Sequence, residues 1–255
     1  MSQPAIEPGL ALAEALDPVL FCRNRLGFEP DEWQARFLRS ESPQVIMCCG
    51  RQTGKSTVVA ALSTHGAIYH PGSLCILIAP SQRQSRELTI KISDFLGRLE
   101  PAPVMEEENK LSLMLSSGSR IVALPGDNPK FIRGFSAPRL VIEDESAFVA
   151  DETHAALTPM LAASPGGRRL LLSTPNLRTG HFHDIWTGSV GGNWERYKIK
   201  SSECPRISKA WLEERKAEDP LHYAREYEAE FSSAEDSLFG NLDKLVSYEF
   251  EPFIL

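Results

Sequence analysis

No stretch of the 255-residue chain holds the roughly 20 consecutive apolar residues that cross a bilayer, so no helical membrane span is expected. Met1 to Leu10 has neither the basic start nor the apolar core of a secretory leader. Positive charge is in deficit: 27 Lys and Arg stand against 34 Asp and Glu, a formal net charge of −7. That argues against a surface that coats nucleic acid uniformly, while leaving room for a local basic patch. Cysteine is sparse and odd in number, and Cys22, Cys48, Cys49, Cys75 and Cys204 show no metal-type spacing. They read as reduced thiols of an intracellular protein. Repeats and low-complexity tracts are lacking too. The length suits one large α/β domain, or one domain with a small appendage.

What is present is a loop with a specific chemistry. Val45-Ile46-Met47-Cys48 is a short strand-forming run, and from Val58 to Tyr69 apolar residues recur at helical spacing. Between them lies Cys49-Gly50-Arg51-Gln52-Thr53-Gly54-Lys55-Ser56-Thr57. Strand, glycine-flanked loop, Gly-Lys-Ser, helix is the order a phosphate-binding P-loop requires. Backbone N–H groups and the helix dipole face one concavity there. Gly54 admits the backbone close to phosphate, Lys55 reaches the β- and γ-phosphates, and the Ser56 hydroxyl suits Mg²⁺. The usual spacing puts the first glycine at position 49, where this chain has cysteine. Gly50 follows, so the turn is shifted or built on a small non-glycine residue.

Upstream, Asp17-Pro18 starts a helix that Gly27 ends. Pro30-Asp31-Glu32 opens another, carrying Trp33, Gln34, Phe37 and Leu38. The Gln34 amide offers the donor and acceptor that suit an adenine edge; spacing alone slightly favours a surface glutamine beside a core tryptophan. Downstream, Leu74 to Ala79 is a continuous apolar run expected to be a buried parallel strand, followed by a helix from Gln82 to Leu99. Pro101 to Val104 reads as a linker, Lys110 to Val122 as a hairpin, and Leu124 to Pro138 as a loop with Lys130 and Arg133 near glycine and Phe135. That mixture suits contact with a nucleic-acid backbone, or an ordinary connection.

Leu140-Val141-Ile142-Glu143-Asp144-Glu145 is an apolar strand ending in three acids. Crowded carboxylates repel unless a cation joins them. Asp144 is expected to hold Mg²⁺ and Glu145 to act as the base; strand alternation puts Glu143 and Glu145 on one side and Asp144 on the other. A helix over 151–162 follows, then the strand Arg169 to Thr174, ending in Ser173-Thr174-Pro175-Asn176. Those polar groups are placed to sense a γ-phosphate, or form a plain Pro-Asn turn. Trp194 to Lys200 is a further strand, Ser208 caps a helix, and Pro220 begins another carrying Tyr223, Tyr227 and Phe231. The last stretch, Phe239 to Leu255, is apolar with no clear closing element.

The chain resembles the ATPase domain of the large terminase subunit, the motor that packages DNA into bacteriophage and herpesvirus capsids. The resemblance covers nearly the whole chain. It rests on Trp33-Gln34 ahead of Arg51 to Ser56, Ile132-Arg133-Gly134, and Leu140 to Glu145 with Ser146-Ala147-Phe148. Ser173 to Asn176, Gly180-His181-Phe182 and Glu226-Tyr227 to Phe231 extend it. It implies an additional-strand, RecA-like P-loop NTPase, α/β with a largely parallel sheet flanked by helices. The core is expected over 1–200, and a lid over 201–255 leading toward a nuclease domain absent from this chain, so no DNA cutting is expected. ATP and Mg²⁺ are the implied cofactors. Gln34 would read adenine, Gly50 to Thr57 would hold phosphate, and Ser173 to Asn176 would couple hydrolysis to motion. Such motors work as rings, and Arg139, at the end of the sheet away from its own phosphates, is expected to act in trans, with Arg51 the cis alternative. Lys130 and Arg133 are the expected DNA contacts. The implied partners are double-stranded DNA, a portal protein, a small terminase subunit and further copies of the chain, monomeric when free, in the cytoplasm of an infected host cell and away from membranes. Glu143 departs from the pattern, standing where the family has an apolar residue. The alternatives are a helicase-like translocase, whose second ATPase-like domain this length cannot hold, and a nucleotide-gated assembly module with little turnover.

Overall fold

Apolar side chains on both faces of a strand require cover on both faces, and six strands of this chain meet that condition by lining up in parallel. The computed structural model describes residues 7–127, 129–132 and 134–232. Three helices come first: α1 (Pro8–Leu16), α2 (Pro18–Arg25) and α3 (Glu32–Leu38). The expected helix start at Asp17-Pro18 is the break between the first two, and the Asp17 carboxylate accepts the Val19 N–H as its cap. Next come β1 (Gln44–Cys49), α4 (Lys55–Tyr69), β2 (Leu74–Ala79) and α5 (Gln82–Gly97). The hairpin is β4 (Ser112–Leu115) with β5 (Arg120–Pro125), preceded by an acidic strand, β3 (Met105–Glu108), that the sequence does not announce. The chain continues through β6 (Leu140–Asp144), α6 (Asp151–Leu161), β7 (Arg168–Ser173), α7 (His181–Thr187), β8 (Glu195–Ile199), α8 (Lys209–Glu218) and α9 (Pro220–Tyr227). The last helix is shorter than its aromatic spacing suggests. Phe231 lies beyond it and packs on Phe182 and His183. The expected tail at 239–255 lies outside the described residues.

The strand order is β3-β4-β5-β2-β6-β7-β1-β8, parallel from β5 through β8 and antiparallel across β3-β4-β5. Alternation along each strand divides the core. Val45, Met47, Leu77, Ile142, Leu170 and Leu172 join the cluster under α4 and α5. Ile46, Ile76, Val141 and Leu171 face two smaller clusters on the other side. β7 lies between the P-loop strand β1 and the acidic strand β6, with Cys48 paired to Ser173 and Asp144 to Leu172. The carboxyl ends of three neighbouring strands therefore bring the loop, the acids and the Ser-Thr pair to one edge, where open α/β sheets bind ligands. All five cysteines are buried free thiols, and burial pushes Cys22, Cys49 and Cys75 up to about 12. No helix among the described residues is long and apolar enough to cross a membrane.

Candidate nucleotide site

The missing first glycine of the P-loop has a simple explanation. Cys49 is the buried last residue of β1, and the loop turns at Gly50. A Cβ on Gly50 would lie 2.7 Å from the Tyr227 carbonyl oxygen and closer still to Ser201 Oγ. Glycine stands there because the segment after β8 and α9 crosses the loop, and its place is set by protein rather than by phosphate. The same segment ties back the loop's carbonyls. Ser201 Oγ donates to Arg51 O at 2.8 Å, Arg206 Nη2 to Thr53 O at 3.1 Å, and Cys204 Sγ approaches Gln52 O at 4.0 Å. Gln52 adopts φ 60° and Gly54 φ 93°. Alternating hands of this kind make a nest of backbone N–H groups, and carbonyls held on the outside leave those N–H groups to face an anion.

Arg51 does not point into the nest. Its guanidinium pairs with Glu226 of α9, and its N–H donates to the Glu226 carbonyl at 2.6 Å. Burial pushes the Glu226 carboxyl up, but Arg51 and Arg225 prevail and hold it below the usual range. Gln34 is fully buried: its Oε1 accepts the Asp31 N–H at 2.8 Å and its Nε2 faces Gly54 O at 3.4 Å.

Lys55 and Ser56 open α4 and meet the two acids of the neighbouring edge. Lys55 Nζ lies 2.9 Å from Glu145 Oε1, and Ser56 Oγ donates to Asp144 Oδ2 at 3.2 Å. Burial acts to lower the Lys55 amine, yet Glu145, Asp144 and Cys49 outweigh it and raise it, so the ammonium persists. Asp144 is pushed up to about 6 by burial and by the charge of Glu145. Its Oδ1 is buried with no hydrogen-bond partner among the described residues. A desolvated carboxylate with one unused oxygen beside a serine hydroxyl is a donor set that fits Mg²⁺.

The expected alternation of the three acids is corrected here. β6 ends at Asp144, and Glu145 takes the left-handed conformation, φ 52° and ψ 45°. That turn breaks the period of two and swings Glu145 to the same face as Asp144. Its Oε2 then accepts from Ser173 Oγ at 3.3 Å, Thr174 N at 3.3 Å and Thr174 Oγ1 at 3.2 Å. Pro175 and Asn176 are drawn elsewhere, the Asn176 carbonyl accepting the Ser232 N–H at 3.1 Å.

Glu143 keeps the strand's alternation and faces away. It is fully buried, with Arg169 Nη2 at 2.9 Å, His154 Nδ1 at 3.1 Å and Ser146 Oγ at 3.2 Å. Burial alone would raise its carboxyl, but Arg169 and His154 hold it well below the usual range. His181 lies over His154 with ring centroids 3.9 Å apart and bonds Ser146 and Asp151. Glu143, His154 and His181 have metal-like spacing, but the Arg169 guanidinium already fills the space between Glu143 and His154 Nδ1, 2.9 Å from each. This is a buried ion-pair network on the face opposite the P-loop.

Arg139 bonds His70 at 2.9 Å and lines a cavity of about 390 Å³ with Arg168 at the amino ends of the strands, far from its own P-loop. Lys130 is exposed on a short 3-10 turn (Pro129–Phe131), while Arg133 lies outside the described residues. Ser201, Arg206 and Glu226 are site residues that the sequence reading misses. For Ser201 and Arg206 the polar residues directly after β8, the neighbour of the P-loop strand, are the available signal; Glu226 opens the Glu226-Tyr227 stretch on which the resemblance partly rests, which gives it no role at the P-loop.

The family described as terminase large subunit, T4likevirus-type, N-terminal, matches this sequence over residues 46–244. The chain belongs to that family. The large terminase subunit of Thermus phage G20c is 25% identical over 260 residues, covering 89% of this chain and 53% of the relative. This terminase chain thus spans about half the length of the curated relatives it matches. The large terminase ATPase domain of Thermus phage P74-26 has a TM-score of 0.73 at 23% identity, covering 91% of this chain and 100% of that one. The large terminase of a thermophilic bacteriophage, solved in complex with ATP-γ-S, has a TM-score of 0.59 at 12% identity, over 86% of this chain and 52% of that one. The terminase fold here is that of a P-loop NTPase, with β7 as the additional strand between the P-loop and acidic strands.

Proposed function

We propose that the chain is an ATP-hydrolysing motor domain that drives double-stranded DNA into a viral procapsid. The observation that carries this reading is the arrangement around Glu145. One oxygen is on Lys55 and the other on Ser173 and Thr174, beside an Asp144 with an unused oxygen. The nest and Lys55 bind the β- and γ-phosphates of ATP. Ser56 and Asp144 hold Mg²⁺, which when bound neutralises charge on the phosphate oxygens. A γ-phosphate competes with Glu145 for Lys55 and so releases Oε1 to orient the attacking water and accept its proton. Ser173 and Thr174 keep hold of Oε2 and feel that change, which passes beyond the end of β7 through Asn176 to Ser232. That is a physical route for coupling hydrolysis to motion.

The segment from Ser201 onward acts as the lid. Its grip on Arg51 and on the loop carbonyls makes lid position depend on what the P-loop holds. Arg51 is the cis candidate for stabilising transferred charge once it leaves Glu226; Arg139 serves an adjacent subunit's ATP in trans within a ring. A portal protein and a small terminase subunit complete the assembly in the host cytoplasm. A nucleotide-gated module with little turnover is the second reading, favoured by one observation: in the single chain both Glu145 oxygens are occupied.

The loop bearing Lys130 and Arg133 faces DNA. Reversing both charges, with Lys130→Glu and Arg133→Glu, is expected to lower DNA binding and its salt dependence together, because each phosphate contact contributes to the salt slope. Unchanged binding in a salt titration would remove that loop from the DNA-facing surface.

A further inference from the structure

We propose that Arg206, rather than Gln34, supplies the contact to the base of the bound nucleotide, by stacking its guanidinium on the ring. This rests on the reading of the cleft as an ATP site. Gln34 is fully buried, and a Cβ added to Gly54 would lie 2.6 Å from its Nε2. The amide is therefore packed directly on the P-loop, with Oε1 already accepting the Asp31 N–H. It braces the loop and presents no open edge to a base.

Arg206 is the opposite case. Its side chain is 48% exposed, yet its end is fixed at two points. Nη1 donates to Asp31 Oδ1 at 2.7 Å and Nη2 to Thr53 O at 3.1 Å, beside Gly54. A guanidinium anchored through two nitrogens keeps its flat face in one place, so little freedom remains to be lost when a ring settles on it. Guanidinium is planar and weakly hydrated, which suits it to aromatic faces; the ammonium of a lysine is a compact, strongly hydrated charge. The anchors also explain why the contact comes from the segment after β8. Asp31 belongs to the entry of α3 and Thr53 to the P-loop, and Arg206 bridges them across the mouth of the cleft.

The test compares ATP with inorganic tripolyphosphate as ligands of the intact chain, by calorimetry or competition, in wild type, Arg206→Ala and Arg206→Lys. Both variants are expected to bind ATP about ten-fold more weakly, the scale of one base–side-chain stack. Tripolyphosphate, which has no base, is expected to lose only what the Thr53 anchor gives the P-loop, a smaller loss than that of ATP in both variants. Equal weakening of both ligands would overturn the proposal and leave Arg206 as an anchor of the P-loop alone. Unchanged ATP affinity in Arg206→Ala would overturn it as well. Wild type that bound neither ligand would overturn the ATP-site reading beneath it.

Discussion

Glu145→Gln is expected to bind ATP at least as tightly as the wild-type chain while hydrolysing it at least about 100-fold more slowly, the range for loss of a positioned general base. The asymmetry follows from the geometry. Lys55 has to leave Glu145 to reach a γ-phosphate, and a neutral amide competes for that ammonium less well than a carboxylate 2.9 Å away. Glutamine still accepts from Ser173 and Thr174, so the edge of the sheet keeps its shape. What is lost is the ability to take a proton from water. EDTA is expected to reproduce the loss of turnover in wild type. Nucleotide titration beside a phosphate-release assay separates the two effects. Turnover within a few-fold of wild type would place the base elsewhere, and weakened ATP binding would mean that the Lys55 pair supports the loop instead of competing with its ligand.

Glu143→Gln is expected to leave the chemistry alone and damage the fold. It removes the carboxylate from a network in which Arg169 is only 5% exposed, so a guanidinium is left buried without its counter-charge. Losses of this kind run to about 3–5 kcal/mol, which for a domain of this size is a drop of roughly 10 °C in melting temperature. The pH dependence has a definite sign. Burial acts to lower His181, but Glu143 and Asp151 outweigh it and raise it. A raised histidine stabilises fully below its unfolded value of about 6.5 and loses that contribution as pH rises through the higher folded value. The stability gap between wild type and Glu143→Gln should therefore narrow as pH rises past that point. Urea denaturation across pH measures it. Replacing the pair together, Glu143→Leu with Arg169→Met, is expected to recover much of the loss, since packed apolar groups substitute well for a buried pair. A gap below about 1 kcal/mol would mean that the network contributes little net stability.

These two acids mark where the sequence can be read and where it cannot. The strand–loop–helix order at Lys55 and the acids closing an apolar run are local patterns, and both lie where their periods put them. Glu145 defeats the pattern because a single left-handed residue overrides a period of two, and nothing in Glu-Asp-Glu signals it. Gly50 looks like a displaced P-loop glycine, but the chain around Ser201 and Tyr227, far away in sequence, dictates it. The roles of Arg206 and Glu226 are hidden for the same reason: their partners, Asp31, Thr53 and Arg51, are brought to them only when β8 pairs with β1. β3 escapes notice because an exposed edge strand of Met-Glu-Glu-Glu carries no apolar period. The strand order, with β7 between β1 and β6, is implied by family resemblance and not by any residue spacing.

If assembly completes the proposed ATPase site, the most direct measurement is steady-state ATP turnover per subunit across a wide range of protein concentration, with Glu145→Ala run alongside. Turnover per subunit that rises with concentration, and is absent in the variant at every concentration, is the expected result. Turnover that persists in Glu145→Ala would contradict the assignment of the site, and constant turnover per subunit would contradict the requirement for Arg139 in trans.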